Sequence, residues 1–543
     1  MSAAPVLALE NLSVRLPKGA DRTHALDDVS LTIASDEILC IVGESGSGKS
    51  MMANAIMRLL PNEVAIERGR MMFDGRDLCA ASPAEMRDIR GDGIAMIFQE
   101  PMTALNPLRT IGDQVGEMFS VHTDLSRAEI NARVLALLED VRIPNPKQAA
   151  KAYPHELSGG QRQRAMIAMA LALDPKLLIA DEPTTALDVT TQAQILKLIR
   201  DLQRRTNTAV LFITHDFGVV AEIADRVVVM QHGRIVEQGP TDQVLNHPTH
   251  AYTKQLIAAV PPLKAPPPRK LSTNNILTIA NVSKTYRTGG FLGRGARVTA
   301  AVKDASLVLP RGATLGIVGE SGSGKSTLAR CIVRLIDPDS GAILLEGKDW
   351  AKLSRDEVRR ETRHIQMVFQ DPFASLNPRR KAAELVAQGP IVHGTPRATA
   401  IAEARELFAL VGLDPSAGDR FPHEFSGGQR QRIGLARALA LKPDVLIADE
   451  PVSALDVSVQ AQVLKLLGEL RARLGLSIVF ITHDLRVAAQ VCDIVAVMKD
   501  GEIVEHGLVA DVFGRPQHPY TQALIAAVPG GEFSAQHEAA VAD

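Results

Sequence analysis

Short, largely apolar runs alternate along the chain with stretches of helical character. Ile38–Val42, Leu177–Ala180 and Val210–Thr214 in the first half have counterparts at Leu315–Val318, Val445–Ala448 and Ile478–Thr482 in the second. Apolar runs this short that lack polar alternation predict strands buried on both faces. Interleaved with helical segments, they predict an α/β fold: mostly parallel sheets covered by helices. Lys49–Leu60 and Lys325–Ile336 are the helices expected to follow the first strand of each set.

The pattern repeats because the chain is a tandem duplication. GESGSGKS stands at Gly43–Ser50 and again at Gly319–Ser326. SGGQRQR recurs at Ser158 and Ser426, IADEP at Ile179 and Ile447, FITHD at Phe212 and Phe480, and LIAAVP at Leu256 and Leu524. Residues 1–260 read as one domain and 276–529 as a second. Between them, 261–275 carries Pro261, Pro262, Pro266, Pro267 and Pro268 and has no hydrophobic periodicity, which marks a linker. In a polyproline-like conformation, at about 3.1 Å per residue, it would span roughly 45 Å and let the halves face each other. The segment 530–543 is small, polar and mildly acidic, and is expected to be disordered.

Composition narrows the partners. Among 543 residues the net charge is −2, with a single Trp, Trp350, and four Tyr. Neither a basic groove nor a set of base-stacking aromatics is present, which disfavours nucleic acid. Cys40, Cys79, Cys331 and Cys492 are scattered without metal-binding spacing and read as buried thiols of a reducing compartment. The N-terminus has no signal-peptide pattern and no apolar run approaches the ~20 residues of a membrane span. The chain is therefore expected neither to cross nor to leave the cytoplasmic membrane by itself.

Each GxxxxGKS segment follows a buried strand and opens a helix, the context that makes a phosphate-binding loop. Its glycines let backbone N–H groups curl around phosphate oxygens at a helix N-terminus. The first loop is Gly43, Glu44, Ser45, Gly46, Ser47, Gly48, Lys49 and Ser50, followed by Met51. The second is Gly319, Glu320, Ser321, Gly322, Ser323, Gly324, Lys325 and Ser326, followed by Thr327. Lys49 and Lys325 are candidates for the β- and γ-phosphates, and Ser50 and Ser326 for Mg²⁺. A chance glycine turn is the alternative, and a duplicated frame argues against it.

Asp181–Glu182 and Asp449–Glu450 end buried strands, where ligands of parallel sheets bind. The aspartates suit Mg²⁺ and the glutamates suit polarisation of an attacking water, although an acid pair can also simply terminate a strand. His215 and His483 follow strands ending in Ile-Thr; a lone histidine there is commonly structural, but the repeated context favours a γ-phosphate contact. Ser158, Gly159, Gly160 and Gln161, like Ser426, Gly427, Gly428 and Gln429, form a small-residue nest for an anion ahead of a helix. A capping turn headed by the serine is the alternative. Two glycines and a glutamine exceed what a cap requires.

Gln99 in FQEP and Gln370 in FQDP carry little weight by residue type alone. In order with the other motifs, twice over, they complete a set that resembles the ATPase domains of ABC transporters: Walker A, Q-loop, signature, Walker B, D-loop (Ala186–Asp188, Ala454–Asp456) and H-loop. The resemblance covers almost the whole chain. It implies two P-loop ATPase domains, each with a RecA-like core, an antiparallel β subdomain, a helical subdomain and a short C-terminal extension. It also implies Gln99 and Gln370 as γ-phosphate sensors touching Mg²⁺, and ATP sandwiched between one half's Walker A and the other half's signature. Gly43–Ser50 would pair with Ser426–Gln429, and Gly319–Ser326 with Ser158–Gln161.

QEPMTALNP, QDPFASLNP, HAYTKQLIAAVP and HPYTQALIAAVP are similar to the ATPases of oligopeptide and dipeptide importers, the fused two-domain type above all. That likeness implies two separate membrane permeases, an indirect periplasmic binding protein, and a peripheral position on the cytoplasmic face of the inner membrane. The segments after Gln99 and Gln370 would be helical and dock the permeases, with cysteines near Leu105 or Leu376 crosslinking to them. Some relatives carry an iron–sulfur cluster after the H-loop; this chain lacks the cysteines, and none is expected. An aromatic that stacks on adenine is implied at Tyr286, whereas the first half has Leu16 there, with His24 a possible replacement ring. ABC-F translation factors are the alternative class, but their domains are joined by a long charged helical arm. A DNA-repair ATPase with zinc modules would need cysteine pairs.

Overall fold

The computed structural model describes residues 4–100, 104–185, 187–288, 297–371, 375–453 and 455–530. The chain forms two compact units whose boundary falls between Val260 and Pro261. Of the segment 530–543, expected to be disordered, residues 531–543 lie outside the described residues, as do Ala186 and Ala454 of the D-loops.

In the first unit a six-stranded sheet runs Arg234–Pro240, Arg226–Gln231, Ile38–Val42, Ala209–Ile213, Leu177–Asp181, Ile94–Ile97. Its pairings are parallel except at the Arg234–Pro240 edge. Ile38, Cys40 and Val42 face one hydrophobic core while Leu39 and Ile41 face another, so the central strand is apolar at every position because both faces are covered. Each such Leu or Ile contributes about 1.5–3 kcal/mol of burial. A second, antiparallel sheet orders His24–Ile33, Leu7–Arg15, Ala65–Phe73 and Arg76–Asp77. The helices Ile111–His122 and Arg127–Asp140 form the helical subdomain, and Thr241–Asn246 and Ala251–Ala258 the C-terminal extension.

The second unit repeats this plan. Its larger sheet runs Ile365–Val368, Val445–Asp449, Ser477–Thr482, Thr314–Val318, Ile494–Lys499, Glu502–Leu508, beside an antiparallel sheet of Arg297–Pro310, Asn275–Thr288, Ser340–Leu345 and Lys348–Asp349. Helices Ala382–Val392 and Arg397–Leu410 build the helical subdomain, and Val509–Gly514 and Pro519–Ala526 the extension. Among the described residues no helix is long and apolar enough to cross a membrane.

Some local expectations are corrected. The helices after the phosphate loops are shorter than read, Lys49–Ile56 and Lys325–Ile332. They stop because Arg58 and Arg334 turn into the left-handed region, with φ of 52° and 56°. From there Arg58 donates to the carbonyls of Leu78 and Cys79, and Arg334 to that of Trp350. Cys79 is only partly buried, unlike the other three cysteines. The Pro-rich stretch packs on the second unit rather than standing free. Gln490 donates to the carbonyls of Pro262 and Lys264 at 2.9 Å, and Arg269 clamps the carboxylate of Asp493 at 2.5 and 2.6 Å.

Candidate functional site

Three neighbouring parallel strands end together in each unit. The order Ile38–Val42, Ala209–Ile213, Leu177–Asp181 brings the phosphate loop, the Thr214–His215 turn and the acid pair to one edge, where ligands of parallel α/β sheets bind. Gly48 caps the following helix at φ 107°, and a side chain there would press on the Ala25 carbonyl at 2.6 Å; Gly324, also at 107°, would collide with that of Ala301. Only glycine satisfies both the backbone angle and the close approach.

Lys49 and Lys325 are buried within their loops. Lys49 Nζ donates to the carbonyls of Gly43 and Glu44 at 2.7 and 2.9 Å, and Lys325 Nζ to those of Gly319 and Glu320 at 2.8 and 2.7 Å. Burial lowers the Lys325 pKa, opposed by the charges of Glu450 and Asp449. Ser50 Oγ donates to Asp181 Oδ1 at 3.0 Å, and Ser326 Oγ to Asp449 Oδ1 at 3.0 Å. Burial pushes Asp181 up to about 6 against the hydrogen bond from Ser50, and Asp449 moves the same way. A hydroxyl and a carboxylate converging in each unit make a hard-oxygen donor set that suits Mg²⁺.

Glu182 and Glu450 sit in the left-handed region, at φ 49° and 46°. Non-glycine residues adopt it at a cost of about 1–3 kcal/mol and do so preferentially at functional sites. Glu182 Oε2 accepts from Gln99 Nε2 at 3.1 Å and Thr185 Oγ1 at 2.9 Å, and faces His215 Nδ1 at 3.3 Å. Glu450 Oε2 likewise accepts from Gln370 Nε2 at 3.0 Å and faces His483 Nδ1 at 3.3 Å. Burial would raise the Glu182 carboxyl, but the hydrogen bond and charge of His215, with Thr185 and Lys49, hold it at about 2. Glu450 is lowered on the same balance, and His483 is raised because Glu450 outweighs the cost of burying its charge. The glutamine, glutamate and histidine motifs thus meet on one carboxylate oxygen in each unit. The glutamines, expected also at the metal, direct their amide nitrogens to the glutamates.

The signature segments correct one inference. Ser158 Oγ accepts from Gln161 N at 3.3 Å while Gln161 Oε1 accepts from Ser158 N at 3.0 Å, a reciprocal capping box that Ser426 and Gln429 repeat. The glutamine therefore belongs to the cap. Gly160 and Gly428 face Thr191 and Val459, where a side chain would crowd the next helix. Gly159 and Gly427 have nothing within 4 Å of a would-be Cβ. Only these first glycines lack a packing reason.

In the second unit a cavity of about 560 Å³ is lined by Ser321, Gly322, Gly324, Lys325, Ser326 and Thr327, with Gln370 and Glu450. Thr299, Lys303 and Asp500 also line it, and no motif had pointed to them. Tyr286 is half-buried and pairs with Thr299 across the antiparallel sheet, but is not itself in the lining. In the first unit the ring of His24 is held by Glu67 at 2.6 Å, and the Arg22 guanidinium donates to the carbonyl of Gly46. Two tyrosines also escaped the motif reading: the hydroxyls of Tyr252 and Tyr520 accept from the backbone N–H of Glu44 and Glu320 at 3.1 and 3.2 Å. The repeated H(A/P)YT signal was visible, but nothing in it disclosed a contact with the phosphate loop.

Comparison with known proteins agrees with this geometry. The family model described as ABC transporter matches residues 26–185 and 302–453. A second, the oligopeptide/dipeptide transporter C-terminal region, matches 236–286 and 504–540. The peptidoglycan transport ATP-binding protein YejF of Agrobacterium fabrum is 47% identical over 528 residues, 96% of this chain and 96% of that protein. The glutathione import ATP-binding protein GsiA of Escherichia coli strain K12 is 45% identical over 569 aligned positions, 99% of this chain and 91% of that protein. Duplicated phosphate loops, acid pairs and histidines in one fold, together with these matches, make the chain a member of the ABC transporter family, as an ATP-binding and ATP-hydrolysing subunit.

Proposed function

We propose that the chain energises import of peptide-like solutes through separate membrane permeases, working peripherally on the inner face of the membrane. The observation that carries this reading is the oligopeptide/dipeptide transporter C-terminal region, which follows both ATPase domains. One relative is named for peptidoglycan transport and another for import of glutathione, a tripeptide, which agrees with a peptide-like cargo. Gly43–Ser50 and Gly319–Ser326 bind the ATP phosphates. Ser50 with Asp181, and Ser326 with Asp449, would hold Mg²⁺, which would supply charge neutralisation for the β- and γ-phosphates. Glu182 and Glu450 orient and polarise the attacking water. His215 and His483 fix those carboxylates and reach the γ-phosphate, while Gln99 and Gln370 couple the carboxylates to the helical subdomains.

A translation factor finds no counterpart for its helical arm, since the described residues of 261–274 contain no helix. The test is co-purification with the candidate permeases, followed by ATPase assay with and without loaded binding protein. Stimulation by the loaded protein is expected. A chain that ignores permeases and hydrolyses ATP only with ribosomes would overturn the reading.

A further inference from the structure

The C-terminal extension reaches the phosphate loop in both units by the same path. In the first, Glu237 accepts from the N–H groups of Thr249 and His250 at 2.7 and 3.2 Å, and His250 Nδ1 caps the helix Ala251–Ala258 by accepting from Tyr252 N at 3.2 Å. In the second, Glu505 accepts from Gln517 and His518 at 2.8 and 3.0 Å, and His518 Nδ1 accepts from Tyr520 N at 3.1 Å. The tyrosine rings are thereby fixed and nearly buried, at 6% and 9% exposure. The Lys499 ammonium lies 4.9 Å from the Tyr520 ring centre, a cation–π contact that adds to the anchoring.

What the hydroxyls hold is specific. The Gly43–Glu44 peptide gives its N–H to Tyr252 at 3.1 Å while its carbonyl, that of Gly43, receives Lys49 Nζ at 2.7 Å. The Gly319–Glu320 peptide likewise gives its N–H to Tyr520 at 3.2 Å, and its Gly319 carbonyl receives Lys325 Nζ at 2.8 Å. One peptide unit in each loop therefore links a helix of the extension to the phosphate-binding lysine. A peptide plane held at its N–H cannot rotate its carbonyl away from that lysine without breaking the tyrosine bond.

We infer that Tyr252 and Tyr520 are positioning residues of the two nucleotide sites: their hydroxyls pin the Gly43–Glu44 and Gly319–Glu320 peptides and so hold each phosphate loop and its lysine in a nucleotide-binding shape. The extension that marks the transporter type is then also a structural member of the ATP site. This rests on the ATPase reading and adds a role for the extension to it. No tyrosine is assigned to the reacting atoms.

The test uses the full-length protein with Tyr252→Phe, Tyr520→Phe and both together, which keep the ring and its packing and delete only the hydroxyl. MgATP binding is measured by calorimetry, and ATPase activity as KM and kcat separately. One net hydrogen bond to a preorganised loop predicts about three- to tenfold weaker binding and a matching rise in KM at the altered site, with kcat within about twofold. Melting temperatures should stay close to wild type, whereas Tyr252→Ala, which empties the ring's place, should lower them. Unchanged affinity in the double Phe variant, with wild type binding ATP normally, overturns the inference alone. Loss of kcat and melting temperature in proportion to affinity overturns it too, because that is the mark of a merely structural residue. Failure of the wild-type chain to bind MgATP overturns the nucleotide reading beneath it.

Discussion

Replacing the Glu182 and Glu450 carboxylates by amides, as Glu182→Gln and Glu450→Gln, tests the chemistry most directly. The change is isosteric, and glutamine tolerates the left-handed backbone no worse than glutamate does. Its side-chain oxygen still accepts from Gln99 and Thr185, at the present 3.1 and 2.9 Å, so the fold should survive. What disappears is the negative charge facing His215 at 3.3 Å and the site for the water's proton. A positioned general base contributes about 10²–10⁴-fold, equivalent to about 2.7–5.5 kcal/mol of barrier. Glu182 is held at about 2, which makes it a weak base, so the lower part of that range, about 10²–10³, is the expectation. Single-turnover release of phosphate from MgATP is the assay, with nucleotide binding and thermal unfolding as controls. The double variant should bind ATP within about threefold of wild type, melt within a few degrees of it, and hydrolyse at about a hundredth of its rate or below. Turnover above about a tenth of wild type would refute the assignment.

Four further outcomes follow from the same structure. With Leu16 in place of Tyr286 and the His24 ring committed to Glu67, the first phosphate loop should bind ATP at least about tenfold more weakly than the second, base stacking being worth about 1–3 kcal/mol; equal dissociation constants at the surviving sites of Lys49→Ala and Lys325→Ala would refute this. Leu105 and Leu376 are buried, at 3% and 2% exposure, so cysteines should be placed instead at Leu108, 85% exposed, and at Arg379; crosslinking only from faces remote from these would refute permease docking. Arg269→Ala removes a two-pronged contact to the largely buried Asp493 and should cost about 1 kcal/mol, a fall of a few degrees in melting temperature, with phosphate-site affinity unchanged. Glu237 and Glu505 are buried enough to be raised, yet their backbone and side-chain hydrogen bonds lower them below the ordinary 4.5, so their stabilisation is present above that pH and is lost as pH falls through the folded values; the melting-temperature gap between wild type and Glu237→Gln/Glu505→Gln should therefore close in acid, and a gap independent of pH would refute the linkage.

The amino-acid sequence alone determined what depends on short stretches of chain. Apolar runs specify the buried strands, the glycines specify the loops, and self-similarity discloses the duplication, because each is a local pattern with a local physical cause. Ile38–Val42 is a strand in the structure as read, since an unbroken apolar run of that length has both faces to bury. Tertiary structure decided what depends on residues far apart. The convergence of Gln99 and His215 on one oxygen of Glu182 arises from the strand order at the sheet's edge, which no spacing along the chain encodes. The helix after each phosphate loop ends early because Arg58 and Arg334 find carbonyls on a distant turn. The Pro-rich stretch is docked because Asp493 and Gln490 offer it partners more than two hundred residues away in the chain. Tyr520, two hundred residues from Glu320, joins a phosphate loop only once the extension has packed beneath it. Side-chain chemistry was legible residue by residue; which groups share an oxygen or a peptide plane is a property of the folded sheet.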